Sequence, residues 1–173
     1  MRDLKTLIRD VPNFPKAGIM FRDITPLLAH GDAWRETVNL MADRYRGRID
    51  IVLGVESRGF LIGSALAYAL GCGIAVVRKP RKLPAAIFSA SYALEYGTDM
   101  LEIHQDAFPA GSRVLVIDDL LATGGTAEAT VALARQLRGE VVEAAFMIEL
   151  TFLNGRKRLA PCEVFSLIQY DSE

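Results

Sequence analysis

The sequence predicts one α/β domain built on a central, mainly parallel sheet flanked by helices, preceded by an N-terminal arm. Three observations predict it. The chain has 173 residues, 51% hydrophobic and 24% charged, which fits one ordinary core and not two. Short apolar runs alternate with stretches of helical periodicity, the order that builds a parallel sheet. Two of those runs end in polar loops, and such sheets bind ligands at the carboxyl ends of their strands.

The elements follow in order. Residues 1–31 hold Pro12, Pro15 and Pro26 with Gly18, and read as a short helix over 3–9 followed by an irregular arm. Asp32 suits a helix N-cap, and Trp34, Val38, Met41 and Tyr45 follow as one apolar stripe. Residues 49–53 read as a strand ending at Gly54, and a loop holds Glu56, Ser57, Arg58 and Gly59. A helix then runs to Leu70, and Gly71 and Gly73 stop it before a strand at 74–77. The uncharged run 59–77 is near membrane-span length, but the glycines split it into a three-turn helix and a β-branched strand, so no membrane span is expected. Arg78, Lys79, Arg81 and Lys82 cluster around Pro80. Residues 86–103 alternate as a hairpin with Gly97 near its turn. Residues 114–117 are continuously apolar, as in a strand covered on both faces, and lead to Asp118 and Asp119. A loop over 120–125, a helix over 126–137 and strands at 141–150 and 164–168 complete the series.

Composition narrows the function. Twenty Lys and Arg against 21 Asp and Glu leave a net charge of −1, so no nucleic-acid or anionic-membrane partner is expected from bulk charge. Any anion must be gripped locally. Cys72 and Cys162 fit neither a disulfide scaffold nor a zinc pattern, and read as buried free thiols. Residues 1–5 lack the apolar core of a signal peptide, so a cytoplasmic protein is expected. His30 and His104 belong to no metal-ligand pattern.

The strongest local signal lies at 114–126. A core strand delivers Asp118 and Asp119, and Ala122, Thr123, Gly124, Gly125 and Thr126 then enter a helix. Glycines let backbone approach a ligand, and a helix N-terminus presents free N–H groups to a phosphate. The threonines add hydroxyl donors. Carboxylates repel phosphate, so the paired acids suit sugar hydroxyls or a magnesium shell. The segment is neither a Walker loop nor a dinucleotide fingerprint. A helix cap plus a turn would explain the glycines and one threonine, but not two acids ending a core strand.

Residues 116–126 resemble the 5-phosphoribosyl pyrophosphate (PRPP) motif of type I phosphoribosyltransferases. Within them, 14–28 is similar to the N-terminal hood of the adenine-specific branch. Residues 56–60 resemble its pyrophosphate loop, 91–97 its flexible catalytic loop and 165–170 its C-terminus. The resemblance implies a single phosphoribosyltransferase domain over 1–173, with the hood at 1–31 and the flexible loop region at 79–103. It implies transfer of phosphoribosyl from PRPP to adenine, giving AMP and pyrophosphate. Mg2+ would be carried by PRPP with no direct protein ligand, and a homodimer is implied.

Roles follow from the same resemblance. Asp118 and Asp119 would hold ribose hydroxyls, and residues 122–126 the 5′-phosphate. Ser57 and Arg58 would meet pyrophosphate across a cis peptide at Glu56-Ser57; an ordinary surface arginine would also explain Arg58. Lys79 and Lys82 would clamp pyrophosphate, or form a solvated basic loop. Glu95 is the expected acid/base at the purine with Tyr96 beside it, though a solvated hairpin turn also fits. Phe21 would stack on the purine while backbone groups of Met20 and Arg22 read its edge; core packing is the alternative. Arg81 stands where many members have glycine, and 85–88 is unusually apolar. Two rivals remain: the same transfer to a 6-oxopurine, and a non-catalytic regulator that binds PRPP.

Overall fold

The computed structural model describes residues 3–93 and 97–172. A 3-10 turn at Leu4–Leu7 leads into β1 (Arg9–Pro12), which pairs antiparallel with β2 (Met20–Asp23). The short helix expected over 3–9 is a single 3-10 turn, and the arm after it is a two-stranded ribbon, not the irregular segment that the prolines suggest. Pro12 sits at the end of β1, where its missing N–H costs no central ladder bond. Helix α1 (Thr25–Ala29) carries Pro26 in its first turn, and α2 (Gly31–Tyr45) follows. His30, not Asp32, caps α2: its Nδ1 accepts the Ala33 amide at 3.4 Å.

The central sheet is parallel throughout. It joins β3 (Ile51–Val55), β4 (Gly73–Val77), β7 (Arg113–Leu121), β8 (Glu140–Leu150) and β9 (Val164–Tyr170), in the spatial order β4-β3-β7-β8-β9. Gly54 lies inside β3 and does not end it. A separate antiparallel hairpin, β5 (Ile87–Ala93) with β6 (Thr98–His104), matches the alternation at 86–103. Helix α3 (Gly59–Leu70) links β3 to β4, and α4 (Gly125–Gln136) links β7 to β8. Helix α5 (Arg156–Leu159) is a single turn before β9.

Alternate residues of β7 face two different cores. Leu115 and Ile117 pack with Met41, Tyr45, Ile62 and Leu66 of α2 and α3. Val114 and Val116 pack with Val131, Leu133 and Ala134 of α4 and with Leu101 and Ile103 of the hairpin. All four β7 residues are fully buried, as a continuous apolar run requires. Burying each such side chain contributes about 1.5–3 kcal/mol.

The chain thus leaves β3 toward one face of the sheet and β7 toward the other. These strands are neighbours, so a crevice opens between their carboxyl ends, the usual ligand position in open α/β sheets. Cys72 and Cys162 are free but only half-buried, because each lies at the margin of an element, not within a core; partial burial raises both thiol pKa values. No helix among the described residues is long and apolar enough to cross a membrane.

Candidate active site

The β3–β7 crevice gathers most of the residues expected from the sequence. Pairing between the two strands stops at Gly54 and Ile117, while β7 continues along β8 to Leu121. Asp118 and Asp119 are therefore inside β7, just past its last β3 partner, and not beyond the strand's end.

The two acids have different surroundings. Asp118 accepts the Asp119 amide at 2.8 Å and borders a small cavity of about 110 Å³. Burial first, and the adjacent Asp119 charge second, push the Asp118 carboxyl well above the usual carboxylate range. Asp119 accepts a 2.5 Å bond from Arg58 Nε. The Arg58 guanidinium also lies 4.9 Å from the centre of the Phe21 ring. Arg58 thus ties the acid pair to the arm, a connection that its expected pyrophosphate role did not include.

The same small cavity is lined by Ala122, Thr123, Gly124, Gly125 and Thr126. Gly124 has φ +87 and stands at the N-cap position of α4 without a side-chain cap bond, so it supplies the left-handed turn, and Thr126 lies inside the helix. Helix α4 begins at this loop, and a helix N-terminus offers free N–H groups that suit an anion; no lysine or arginine lines the small cavity. Gly59 lets the other loop come close. A Cβ there would lie 2.9 Å from Asp118 Oδ1 and from the Ile117 carbonyl oxygen. The Glu56-Ser57 peptide is cis, as the resemblance implied.

A larger cavity of about 860 Å³ adjoins the first through Leu120, Ala122 and Thr123. Met20, Phe21 and Arg22 form one wall, and Leu120 and Leu150 contribute apolar surface. The arm is fixed over it: Arg22 binds Asp10 at 2.5 Å and lies 4.0 Å above the Tyr170 ring. The Arg22 side chain is thus turned to Asp10 and Tyr170. Phe14 meets Phe21 edge to face at 5.1 Å, leaving Phe21 a flat apolar surface within the cavity wall.

Lys79 and Lys82 line neither cavity. Lys79 is paired with Asp99 and donates to Tyr92 Oη at 2.9 Å, while Lys82 is paired with Glu56. Each expected pyrophosphate cation is thus held by a carboxylate in this structure. Arg81 has φ +66, the left-handed conformation that glycine adopts without strain. Glu95 and Tyr96 lie outside the described residues. Leu150, Phe152, Asn154 and Arg158 line the large cavity and were not singled out from sequence. Leu150 ends β8, so the carboxyl-end rule was the available signal.

The phosphoribosyl transferase domain family matches residues 23–169. The chain belongs to this family. An adenine phosphoribosyltransferase of Trichlorobacter lovleyi is 57% identical over 171 residues, covering 98% of this chain and 100% of that protein. The crystal structure of adenine phosphoribosyltransferase from Thermoanaerobacter pseudethanolicus superposes with a TM-score of 0.94 at 50% identity, covering 97% of this chain and 98% of that one. The Saccharomyces cerevisiae enzyme, complexed with an imino-altritol bisphosphate and adenine, superposes with a TM-score of 0.92 at 41% identity, over 95% of this chain and 96% of that one. The five-stranded parallel sheet flanked by helices is thus a type I phosphoribosyltransferase fold.

Proposed function

We infer that this phosphoribosyltransferase transfers the 5-phosphoribosyl group of PRPP to adenine, releasing pyrophosphate and AMP, a purine-salvage reaction. The observation that carries the reading is the contact between two cavities. A small cavity lined by residues 122–126 and Asp118, without lysine or arginine, joins a larger one walled by Phe21. The relatives of known structure and high identity bear the same activity in their names.

In this reading the 5′-phosphate sits on residues 122–126 and the ribose hydroxyls on Asp118 and Asp119. Departure of pyrophosphate builds positive charge on the ribose ring, which an ionised carboxylate nearby favours. The Ser57–Arg58 loop faces the leaving group. Lys79 and Lys82 reach it by exchanging their carboxylate partners for pyrophosphate oxygens. Glu95 moves the purine proton, with Tyr96 beside it, once their loop excludes water. In this reading Mg2+ enters on PRPP; when bound, the ion would neutralise charge on the leaving pyrophosphate.

The proposed assembly is a homodimer. Helix α3 exposes Leu61 at 49% and Tyr68 at 91%, seven residues apart on one helical face. Ile74 of the edge strand β4 is 41% exposed and approaches α3 at Gly63. An uncharged surface of this kind suits a second copy of the chain. A cytoplasmic location is proposed on the two free thiols.

The experiment is a turnover assay with PRPP, magnesium and one of adenine, hypoxanthine or guanine. AMP from adenine alone is the expected result. IMP or GMP would overturn the base assignment and keep the PRPP site. Bound PRPP without any product would favour the non-catalytic regulator.

A further inference from the structure

The phosphate loop has a backstop that is not part of the loop. Gly155 packs directly against it. A Cβ on Gly155 would sit 3.1 Å from Leu121 Cδ1, 3.2 Å from the Gly124 nitrogen, and closer than any real Cβ comes to the Ala122 carbonyl oxygen. In return, a Cβ on Gly124 would sit 2.6 Å from the Gly155 carbonyl oxygen. Gly155 has φ −56 and ψ −30, which any residue adopts. Its missing side chain therefore answers to proximity alone.

The next residue locks this contact to the sheet. Arg156 donates from Nε and Nη2 to the two carboxylate oxygens of Glu149, at 2.5 and 2.6 Å. Its Nη1 donates to the Val164 carbonyl at 2.7 Å, and Nη2 also reaches Ser166 Oγ at 3.0 Å. Ser166 Oγ completes the set with a 2.6 Å bond to Glu149 Oε2. Glu149 is 2% exposed and lies one residue before the end of β8. A forked guanidinium on a buried carboxylate fixes direction as well as distance. Strands β8 and β9 thus hold Gly155 rigidly behind residues 122–124.

We propose that Gly155, held by the Arg156–Glu149–Ser166 network, is a positioning residue for the 5′-phosphate. It sets the height at which the N–H groups of the loop meet the phosphate oxygens. Hydrogen bonds weaken steeply once distance and angle leave their narrow range, and a misplacement of about 1 Å costs on the order of a hundredfold in a positioned reaction. Any side chain at 155 must push the loop forward, because two of the three atoms it meets, the Ala122 carbonyl oxygen and the Gly124 nitrogen, are backbone. The proposal rests on the reading that residues 122–126 bind the phosphate of PRPP.

Ribose 5-phosphate isolates that half of the substrate. Its binding to the full-length protein is measured by calorimetry, together with KM for PRPP and for adenine. Wild-type protein that fails to bind ribose 5-phosphate would overturn the phosphate-loop reading itself. With wild-type binding established, Gly155→Ala is expected to lose tenfold or more in ribose 5-phosphate affinity. KM for PRPP should rise in step while KM for adenine stays within threefold. Arg156→Lys keeps the charge but not the fork, and should show the same split more weakly. A folded Gly155→Ala protein with unchanged ribose 5-phosphate affinity overturns the proposal. So does an equal rise in both KM values, which would mark general loosening. Should Gly155→Ala fail to fold, Arg156→Lys decides by the same two readings.

Discussion

Glu56 joins stability to the loop between β3 and α3 in one residue. Its side chain is 9% exposed, and it accepts bonds from Lys82 Nζ, from the Lys79 amide at 2.8 Å and from Arg78 Nη2 at 3.3 Å. Burial alone would raise its pKa, but these donors outweigh burial and hold it at about 2, against an ordinary 4.5. The folded pKa lies below the unfolded one. The stabilisation is therefore complete above pH 4.5 and is lost as pH falls through about 2. Glu56→Gln should be less stable than wild type at pH 7, by on the order of 2 kcal/mol, and the difference should close toward pH 2. Denaturant melts at pH 7, 5, 4 and 3 check this. Parallel stability curves across that range would contradict it. The individual pairings were not legible in the sequence. The cluster at 78–82 shows its charge there, but Glu56 and Asp99 reach it only through the fold.

At the scale of elements, the site depends on two loops meeting where β3 and β7 part. Gly59 opens α3 directly beneath Asp118. Gly59→Ala must displace either the loop at 56–59 or the acid pair. It is expected to cost about 1–3 kcal/mol in thermal stability and to weaken PRPP binding at least tenfold. A melting curve and a PRPP titration measure both effects; a folded variant with wild-type PRPP affinity would show that the close approach is not needed. The parallel strands were legible because residues 114–117 are buried on both faces, which leaves an unbroken apolar run. The turn from β7 into α4 was legible because glycines, threonines and acids are contiguous. The β1–β2 ribbon was not, since its strands are four residues each and carry Arg9, Asp10, Arg22 and Asp23. Those charges pair across the ribbon, and Arg22 lies over Tyr170, which no local pattern reports. Leu150 and Asn154 escaped for the same reason: they enter the site from β8 and the turn after it.

The whole molecule leaves one feature unaccounted for by a single chain. The 19 residues from 59 to 77 carry no charge, yet part of that run faces water. A core helix needs only one apolar face, and α3 already gives Ile62 and Leu66 to the core. The second face, with Leu61 and Tyr68, has no use in a monomer and would favour association. Two copies meeting there would cover the α3 face and Ile74 beside β4. The same α3 opens at Gly59 under the acid pair, so the contact would brace the element that shapes the crevice. Replacing both residues, as Leu61→Glu with Tyr68→Asp, places like charges opposite each other across any two-fold contact. The expected outcome is a halved mass by light scattering at micromolar concentration, with the far-ultraviolet spectrum unchanged. Turnover should fall with the dimer fraction and recover as protein concentration is raised. A variant that stays dimeric would place the interface elsewhere, and wild-type protein that is monomeric at all concentrations would remove the dimer from the proposal.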